Sequence, residues 1–309
     1  MSERMLQKLR EEFRAGRLAK AEFIERMHAE HARLFEYAEF LKGGPVEKIE
    51  ITAGEVRMTM RESGLVISVN PADHRIAPID ALNFGSYEAE ETRMLAALVD
   101  EGMCIFDIGA NLGWYSLLLA KKFRRLEIHA FEPIPSTYAS LERHITLNRA
   151  AGVHPHPFGL SDKDGEFSFY FYPEGSVNAS LANVSGRAGA REIRCRVRRL
   201  DDFAQESGKY PDLVKCDVEG AELLVFKGGA RTIAEHKPVI FTEMLRKWSA
   251  KFSYHPNEII DLLENMGYRP YVIRAGKLAT FGRMDEETVD TNFFFLHAEK
   301  HADRLKRLS

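Results

Sequence analysis

The hydrophobic positions of this chain change period twice. Over residues 1–42 they recur at three-to-four spacing, first as Met5, Leu6, Leu9 and Phe13, then, after a break near Gly16, as Phe23, Met27, Leu34, Ala38 and Leu41. That spacing predicts two amphipathic helices, ended by Gly43-Gly44-Pro45. Alternating stretches follow at Val46–Thr52, Glu55–Met60 and Leu65–Val69 with Gly54 and Gly64 between them, the pattern of an antiparallel meander. Beyond Phe84, apolar runs predict strands at Met103–Asp107, Glu127–Phe131, Val153–Phe158, Leu213–Cys216, Val239–Phe241, Pro270–Arg274 and Asn292–His297. Between them, helical periods fall at Ala89–Val99, Trp114–Phe123, Ser136–Asn148, Glu222–Phe226 and Asn257–Met266. Such alternation implies a parallel sheet with helices on both faces. A ribbon, Glu166–Tyr172 with Arg191–Arg198, interrupts it and carries a loop over 173–190. The expected division is an N-terminal helical extension (1–42), a β meander and linker (43–83) and one α/β domain (84–309).

Composition narrows the class without naming it. Of 309 residues, 45% are hydrophobic and 29% charged, ordinary globular usage. Forty-three basic against 46 acidic residues give a formal charge of −3, so no basic field is available for nucleic acid. Cys104, Cys195 and Cys216 are odd in number and lack C-x-x-C spacing, which fits core thiols in a reducing compartment. The N-terminus has no apolar signal core, and no apolar run approaches the roughly 18 residues of a membrane span, so a soluble, cytoplasmic protein is expected.

The chemistry concentrates where the first strand of the α/β region ends. Met103-Cys-Ile-Phe106 runs into Asp107 and then Gly109-x-x-x-Gly113 before a helix, the order that builds a nucleotide pocket at the carboxyl end of a sheet. In register with Gly109, the second and third glycines of a dinucleotide fingerprint would fall on Asn111 and Trp114, which counts against a nicotinamide cofactor. S-adenosylmethionine instead needs a carboxylate beside its ammonium and amides for its carboxylate. Asp107 and the turn Gly109, Ala110, Asn111 to Gly113 offer both, with Ser116 following. Twenty-five residues after Asp107, Phe131-Glu132-Pro133 places an acidic side chain where it can accept two ribose hydroxyls.

Taken in order, Asp107-Ile-Gly-Ala-Asn-Leu-Gly-Trp-Tyr-Ser116, Phe131-Glu-Pro-Ile-Pro135, Asn148, Gly159-Leu-Ser161, Leu200-Asp201, Lys215-Cys-Asp-Val-Glu-Gly-Ala-Glu222 and Lys227-Gly228 resemble the FkbM-type methyltransferases. The resemblance spans about Phe84 to His297 and leaves the helices and meander before it unexplained. It implies a class I methyltransferase fold: a Rossmann-like, doubly wound sheet, mostly parallel with an antiparallel last strand. It also implies transfer to a hydroxyl oxygen. By the same resemblance Tyr87 and Glu88 neighbour the methionine end of the cofactor, and Leu160 and Ser161 flank the adenine.

A hydroxyl acceptor calls for a base or a metal, a general base giving on the order of 10² to 10⁴-fold. Asp217 is the first choice and Glu219 the second; alternatively both cap the next helix and pair with Lys215 and Lys227. Glu243, ending Val239-Ile-Phe-Thr242, reaches the same rim by topology and could bind substrate or share a divalent cation with Asp217. No metal ligand set is assigned. His255 is an alternative base. Asp217 is followed by Val-Glu-Gly rather than the N/D-P-P-Y type sequence of amine methyltransferases, which favours oxygen. Arg194 and Arg196 alternate with Ile193, Cys195 and Val197, giving either a face for an acidic acceptor or the solvated side of an edge strand. Asn178 and Ser180, in a small polar stretch over 175–183, could orient a hydroxylated substrate from a flap.

The helices of residues 1–42 carry nine basic and eight acidic side chains, more natural for packing or a homodimer than for a membrane face. The expected protein is an S-adenosylmethionine-dependent O-methyltransferase acting on a small molecule or glycan, a sugar or polyketide-like hydroxyl. A nicotinamide-dependent oxidoreductase and a non-catalytic cofactor-binding scaffold are its rivals.

Overall fold

The structure, a computed structural model, describes residues 5–172, 175–180 and 191–309, and for 171, 172, 175–180 and 191 the backbone alone. Helices α1 (Met5–Arg14) and α2 (Lys20–Phe40) form a hairpin closed by the stacked rings of Phe13 and Phe23, 4.4 Å apart. Strands β1 (Val46–Thr52), β2 (Glu55–Met60) and β3 (Val66–Val69) make the antiparallel meander, followed by α3 (Ala77–Phe84) and α4 (Ala89–Leu98). The main alternation opens with β4 (Cys104–Ile108), α5 (Trp114–Lys122), β5 (Glu127–Phe131), α6 (Pro135–Asn148) and β6 (Val153–His156). A second sheet then forms from β7 (Gly159–Ser161), β8 (Gly165–Tyr172), β9 (Gly175–Ser180) and β10 (Arg191–Arg199). Helix α7 (Leu200–Ser207) returns the chain to β11 (Leu213–Cys216), α8 (Glu222–Gly228), α9 (Ala230–His236), β12 (Val239–Glu243), α10 (Arg246–Ser249) and α11 (Asn257–Glu264). The last elements are β13 (Tyr268–Arg274), β14 (Lys277–Thr280), β15 (Asn292–His297) and α12 (Ala302–Leu308).

The main sheet has eight strands in the order β14-β13-β15-β12-β11-β4-β5-β6. Pairing is parallel from β12 through β6, and β15 runs antiparallel between β12 and β13. This is the doubly wound, mostly parallel sheet with an antiparallel last strand. Its central strands read as continuous apolar runs because both faces are covered. Ile105, Leu213 and Val239 face one buried cluster, and Phe106, Val214 and Ile240 face the other.

The meander belongs to the first of these clusters, to which Val46, Met58, Met60, Leu65 and Ile67 contribute. Its edge strand β3 is bonded by α6: Val66 N donates to Asn148 Oδ1 at 2.8 Å, and Asn148 Nδ2 donates to the Val66 carbonyl at 2.7 Å. Ser68 N donates to His144 Nε2 at 3.1 Å, so the proton sits on Nδ1, which donates to the Leu112 carbonyl at 3.0 Å. One buried imidazole thereby ties the meander to the turn after β4.

Three differences from the expected elements have physical causes. The run expected as one strand over Val153–Phe158 divides at Pro157 into β6 and β7, which join different sheets. The short helices α3, α7 and α9 were hidden by their length; α3 carries its cues in Pro78 near its start and Gly85 in the left-handed conformation after its end. Strand β10 lies between β7 and β8, so its arginines do not guard a sheet edge. Among the described residues no helix is long and apolar enough to cross a membrane. The thiols of Cys104, Cys195 and Cys216 are free, the last two buried.

Candidate functional site

Two turns meet at the carboxyl ends of the adjacent strands β4 and β11. In the first, Gly109 must be glycine: a Cβ there would lie 1.8 Å from the Asp217 carbonyl oxygen, and its φ is +75°. Asn111 (φ 51°) and Gly113 (φ 86°) continue the left-handed path. Asp107 is buried, and its Oδ2 accepts the Ser116 hydroxyl at 2.6 Å. Glu132 is buried beneath the turn, its two oxygens accepting Asn111 N at 3.1 Å and Ile134 N at 2.9 Å. Burial pushes its carboxyl up to about 7 against those two bonds. The amides of Gly109 and Ala110 go to the Phe131 carbonyl, and that of Gly113 to the Ala110 carbonyl. With Asn111 N on Glu132, these four amides are already engaged and are not the cradle for a ligand carboxylate that the sequence led us to expect. What the turn does leave is the buried Trp114 indole N–H, which has no hydrogen-bond partner among the described residues.

In the second turn, a lysine interrupts the apolar strand Leu213-Val-Lys-Cys216. Lys215 Nζ donates to the Gly109 carbonyl at 2.9 Å and lies 3.4 Å from Asp107 Oδ1 and 3.5 Å from Asp217 Oδ2. Burial opposes its charge, but Asp107, Asp217 and Glu88 more than offset this and raise its pKa. Asp217 keeps Oδ1 without a hydrogen-bond partner. Glu219 (φ 57°) and Gly220 (φ 101°) then turn the chain. The carboxylate that holds this turn is neither Asp217 nor Glu219 but Glu222, whose Oε1 accepts Val218 N at 3.1 Å and Gly220 N at 3.0 Å. Tyr254 donates to the Gly220 carbonyl at 2.8 Å and lies 3.2 Å from Glu222 Oε2. Burial raises Glu219, helped by Asp217 and Glu243, and pushes Glu243 up to about 9, helped by Asp217, Glu222 and Glu88.

A third wall comes from the start of α4. Glu88, left-handed at φ 45°, accepts the Tyr115 hydroxyl at 2.7 Å, and the Tyr87 ring meets Trp114 edge-on at 5.3 Å. Among the described residues, three of the seven non-glycine residues with positive φ, Glu88, Asn111 and Glu219, border one cleft, as expected where backbone strain is retained for a site.

That cleft has a cavity volume of about 110 Å³ and opens to solvent. It brings together Tyr87, Glu88, Gly109, Ala110, Asn111, Glu132, Pro133, Asp217 and Glu219 from the expected set. Asp107, Gly113 and Ser116 stand directly behind, and Glu243 ends the neighbouring strand. The cleft lining does not include Leu160, which packs in the second apolar cluster, or Ser161, whose carbonyl faces Gly228. His255 is exposed, its Nδ1 accepting the Asn257 amide at the start of α11. Arg194 and Arg196 are exposed on the face of β10 opposite Cys195 and Val197, and it is the latter pair that packs toward Ile134 and Phe169 of the cleft wall. Asn178 and Ser180 lie on β9, their side chains outside the described residues, as are residues 181–183 of the expected flap. Sequence reasoning missed Lys215, Trp114, Tyr115, Ile134 and Phe169 as cleft residues. Only Lys215 left a signal, a charge inside a buried run.

Residues 107–270, more than half the chain, match the methyltransferase FkbM domain. The chain is 32% identical over 142 residues to "Methyltransferase 1" of Beauveria bassiana, a match covering 40% of this chain and 57% of that protein. It is 32% identical over 144 residues to the hexuronic acid methyltransferase AglP of Haloferax volcanii (46% and 56%). To the 31-O-demethyl-FK506 methyltransferase FkbM of Streptomyces tacrolimicus it is 29% identical over 155 residues (41% and 59%). The chain thus spans under two thirds of the length of each. The domain match begins at Asp107, near the end of β4, and ends inside β13, taking in both turns and all of β11; the chain belongs to the FkbM methyltransferase family.

Proposed function

We propose that this protein transfers a methyl group from S-adenosylmethionine to a hydroxyl oxygen of a small-molecule or glycan acceptor. The observation that carries the reading is the charge of the cleft: Glu88, Glu132, Asp217 and Glu219 line it, Asp107 stands behind, and the single cation of the lining among the described residues, Lys215, is already bound to Asp107, Asp217 and Gly109. Such a site suits a ligand with a sulfonium and an ammonium and opposes one with a diphosphate. This weighs against a nicotinamide dinucleotide, and the retained rim carboxylates weigh against a scaffold.

The residues fit the cofactor part by part. Asp107 and Glu88 suit the cationic methionine end, and the start of α5 with the unpartnered Trp114 indole suits its carboxylate. Glu132 keeps a lone pair on each oxygen for ribose hydroxyls, beside an apolar wall of Pro133, Ile134 and Phe169 for the purine. When bound, the cofactor supplies an electrophilic methyl group. Asp217, which lines the cleft beside Lys215, then receives the acceptor's proton. Glu219 and Glu243, whose pKa values lie well above the usual carboxylate range in the cofactor-free protein, orient the acceptor by hydrogen bonds.

The names of the Haloferax and Streptomyces relatives, a sugar acid in one and a 31-O position in the other, support oxygen as the target. The outward Arg194 and Arg196 and the committed Lys215 favour an acceptor that is uncharged near the transferred methyl. Calorimetric titration with S-adenosylmethionine, S-adenosylhomocysteine and NAD, repeated on Glu132→Ala, tests the cofactor. Saturable binding of both adenosyl ligands is expected, weakened about tenfold or more in the variant; binding of NAD alone sinks the reading. Incubation with hydroxylated sugars and polyketides should give a methyl ether by NMR, and a new methyl on carbon or amide nitrogen would overturn oxygen as the target.

A further inference from the structure

We infer that Lys215 is the positioning residue that couples the two turns: its ammonium, buried between Asp107, the Gly109 carbonyl and Asp217, sets the geometry of the cofactor side and of the proton-accepting side together. The inference rests on the methyltransferase reading and deepens it.

Three observations carry it. Lys215 is 5% exposed in the centre of the sheet, on the strand adjacent to β4, where a charged residue is retained only when paired and hydrogen-bonded. Its one hydrogen bond goes to the carbonyl of Gly109, the residue whose lack of a side chain lets the two turns touch. Its two ionic partners come one from each turn, and in each pair the nearer carboxylate oxygen differs in role. Asp107 Oδ1 has no other partner, whereas Asp217 offers Oδ2 and keeps a buried Oδ1 without a hydrogen-bond partner. Displacing the ammonium would leave two carboxylates of adjacent strands facing one another without a counter-charge.

The groups around the ammonium allow no substitute for it. From β4 it faces Asp107, from its own strand Asp217 and Cys216, from the start of α4 Glu88, and from α5 the Tyr115 ring at 5.9 Å. Glu132, Glu219 and Glu243 form the next circle, all acidic. With Lys215 neutralised, one of the facing carboxylates takes up a proton in the cofactor-free protein, and a cationic ligand must expel that proton to bind.

The test compares wild type, K215M and K215R by calorimetric titration with S-adenosylmethionine at pH 6, 7, 8 and 9, in buffers of different ionisation enthalpy that reveal the protons released. Relative to wild type, K215M is expected to bind about tenfold more weakly at pH 7, to release about one more proton per ligand, and to close the gap as pH rises. K215R, which keeps the charge, should restore the wild-type proton count. If K215M does not fold, as judged by its thermal transition, K215Q retains a donor to the Gly109 carbonyl without the charge and serves in its place. A neutral variant that matches wild type in affinity and proton count, or that is weaker by the same factor at every pH, overturns the inference. Failure of wild type to bind either adenosyl ligand would instead overturn the methyltransferase reading.

Discussion

The two turns at the carboxyl ends of β4 and β11 have the same outline and different finish. Each leaves a buried parallel strand through an aspartate, passes left-handed residues and enters a helix. In the first, the aspartate is sealed: Asp107 is 2% exposed and bonded to Ser116, and the amides around it are spent inside the protein. In the second, the side chain of Asp217 is 37% exposed with one oxygen unengaged, while the fixing is done from below by Glu222 and Tyr254. The first turn is built to hold something still, the second to leave a partly exposed carboxylate at a cleft. A shared backbone solution thus serves two tasks, and the difference lies in which neighbours satisfy the carboxylate.

Exchanging each aspartate for its amide should separate those tasks most sharply. Asp217→Asn is expected to lower kcat by ~10²–10⁴-fold while leaving the dissociation constant of S-adenosylmethionine within about threefold. Asp107→Asn removes the buried charge nearest the cationic end of the ligand and should weaken binding by ~10-fold or more. Titration of both variants, with single-turnover rates at saturating cofactor, reads the two effects apart. If Asp217→Asn lost binding and Asp107→Asn lost only rate, the division of labour between the turns would be reversed.

The pH dependence of binding comes next in size. Glu132 is raised to about 7 and Glu243 to about 9 by burial, and Glu88 and Glu219 are raised in the same direction, so at neutral pH part of the cleft's negative charge is masked by protons. A cationic ligand favours the ionised carboxylates, lowers these pKa values and expels protons; affinity therefore rises with pH through the window from about 6 to 9. The slope is up to about tenfold per pH unit for each proton released. S-adenosylhomocysteine has no sulfonium charge and should release fewer protons than S-adenosylmethionine in the same buffers. Equal release by both ligands would mean that the raised carboxylates lie away from the sulfonium.

Much of the first turn was legible because its constraints are local. Asp107, Gly109, Gly113 and Glu132 sit within one strand-turn-helix-strand unit, where spacing alone brings them together. The sheet order was legible for the same reason, since each βα step is short and the apolar runs are buried on both faces. What spacing cannot reveal is which way a satisfied group turns. Arg194 and Arg196 alternate as expected, yet the face that reaches the cleft wall is that of Cys195 and Val197, decided by packing against Ile134 and Phe169. The amides of the first turn looked available because their partners, the Phe131 carbonyl and Glu132, lie on another strand. The pairing of Lys215 with Asp217, two residues on, was readable from the sequence, but its bonds to Asp107 and the Gly109 carbonyl were not, because those partners lie more than a hundred residues away. The 21-residue helix α2 is the opposite case, a clear helical pattern with no buried residue, so its period was readable and its role was not.

The smallest effect is expected from the support under the second turn. Tyr254 reaches from the segment before α11 to donate its hydroxyl to the Gly220 carbonyl, and lies 3.2 Å from Glu222 Oε2. Glu222 would keep its bonds to Val218 N and Gly220 N in Tyr254→Phe, so the turn should persist and only its tightness change. Loss of the donated bond, with the long 3.5 Å bond that the hydroxyl accepts from Leu223 N, corresponds to about 1 kcal/mol, a fall in melting temperature of roughly 1.5 °C for a chain of this size. Because the Asp217 carboxylate opens this turn, loosening it should lower kcat a few-fold and leave cofactor affinity as it was. Thermal unfolding with the steady-state split of kcat and KM checks this. An equal loss of cofactor affinity would show that Tyr254 steadies the whole cleft, and that the two turns are not independently supported.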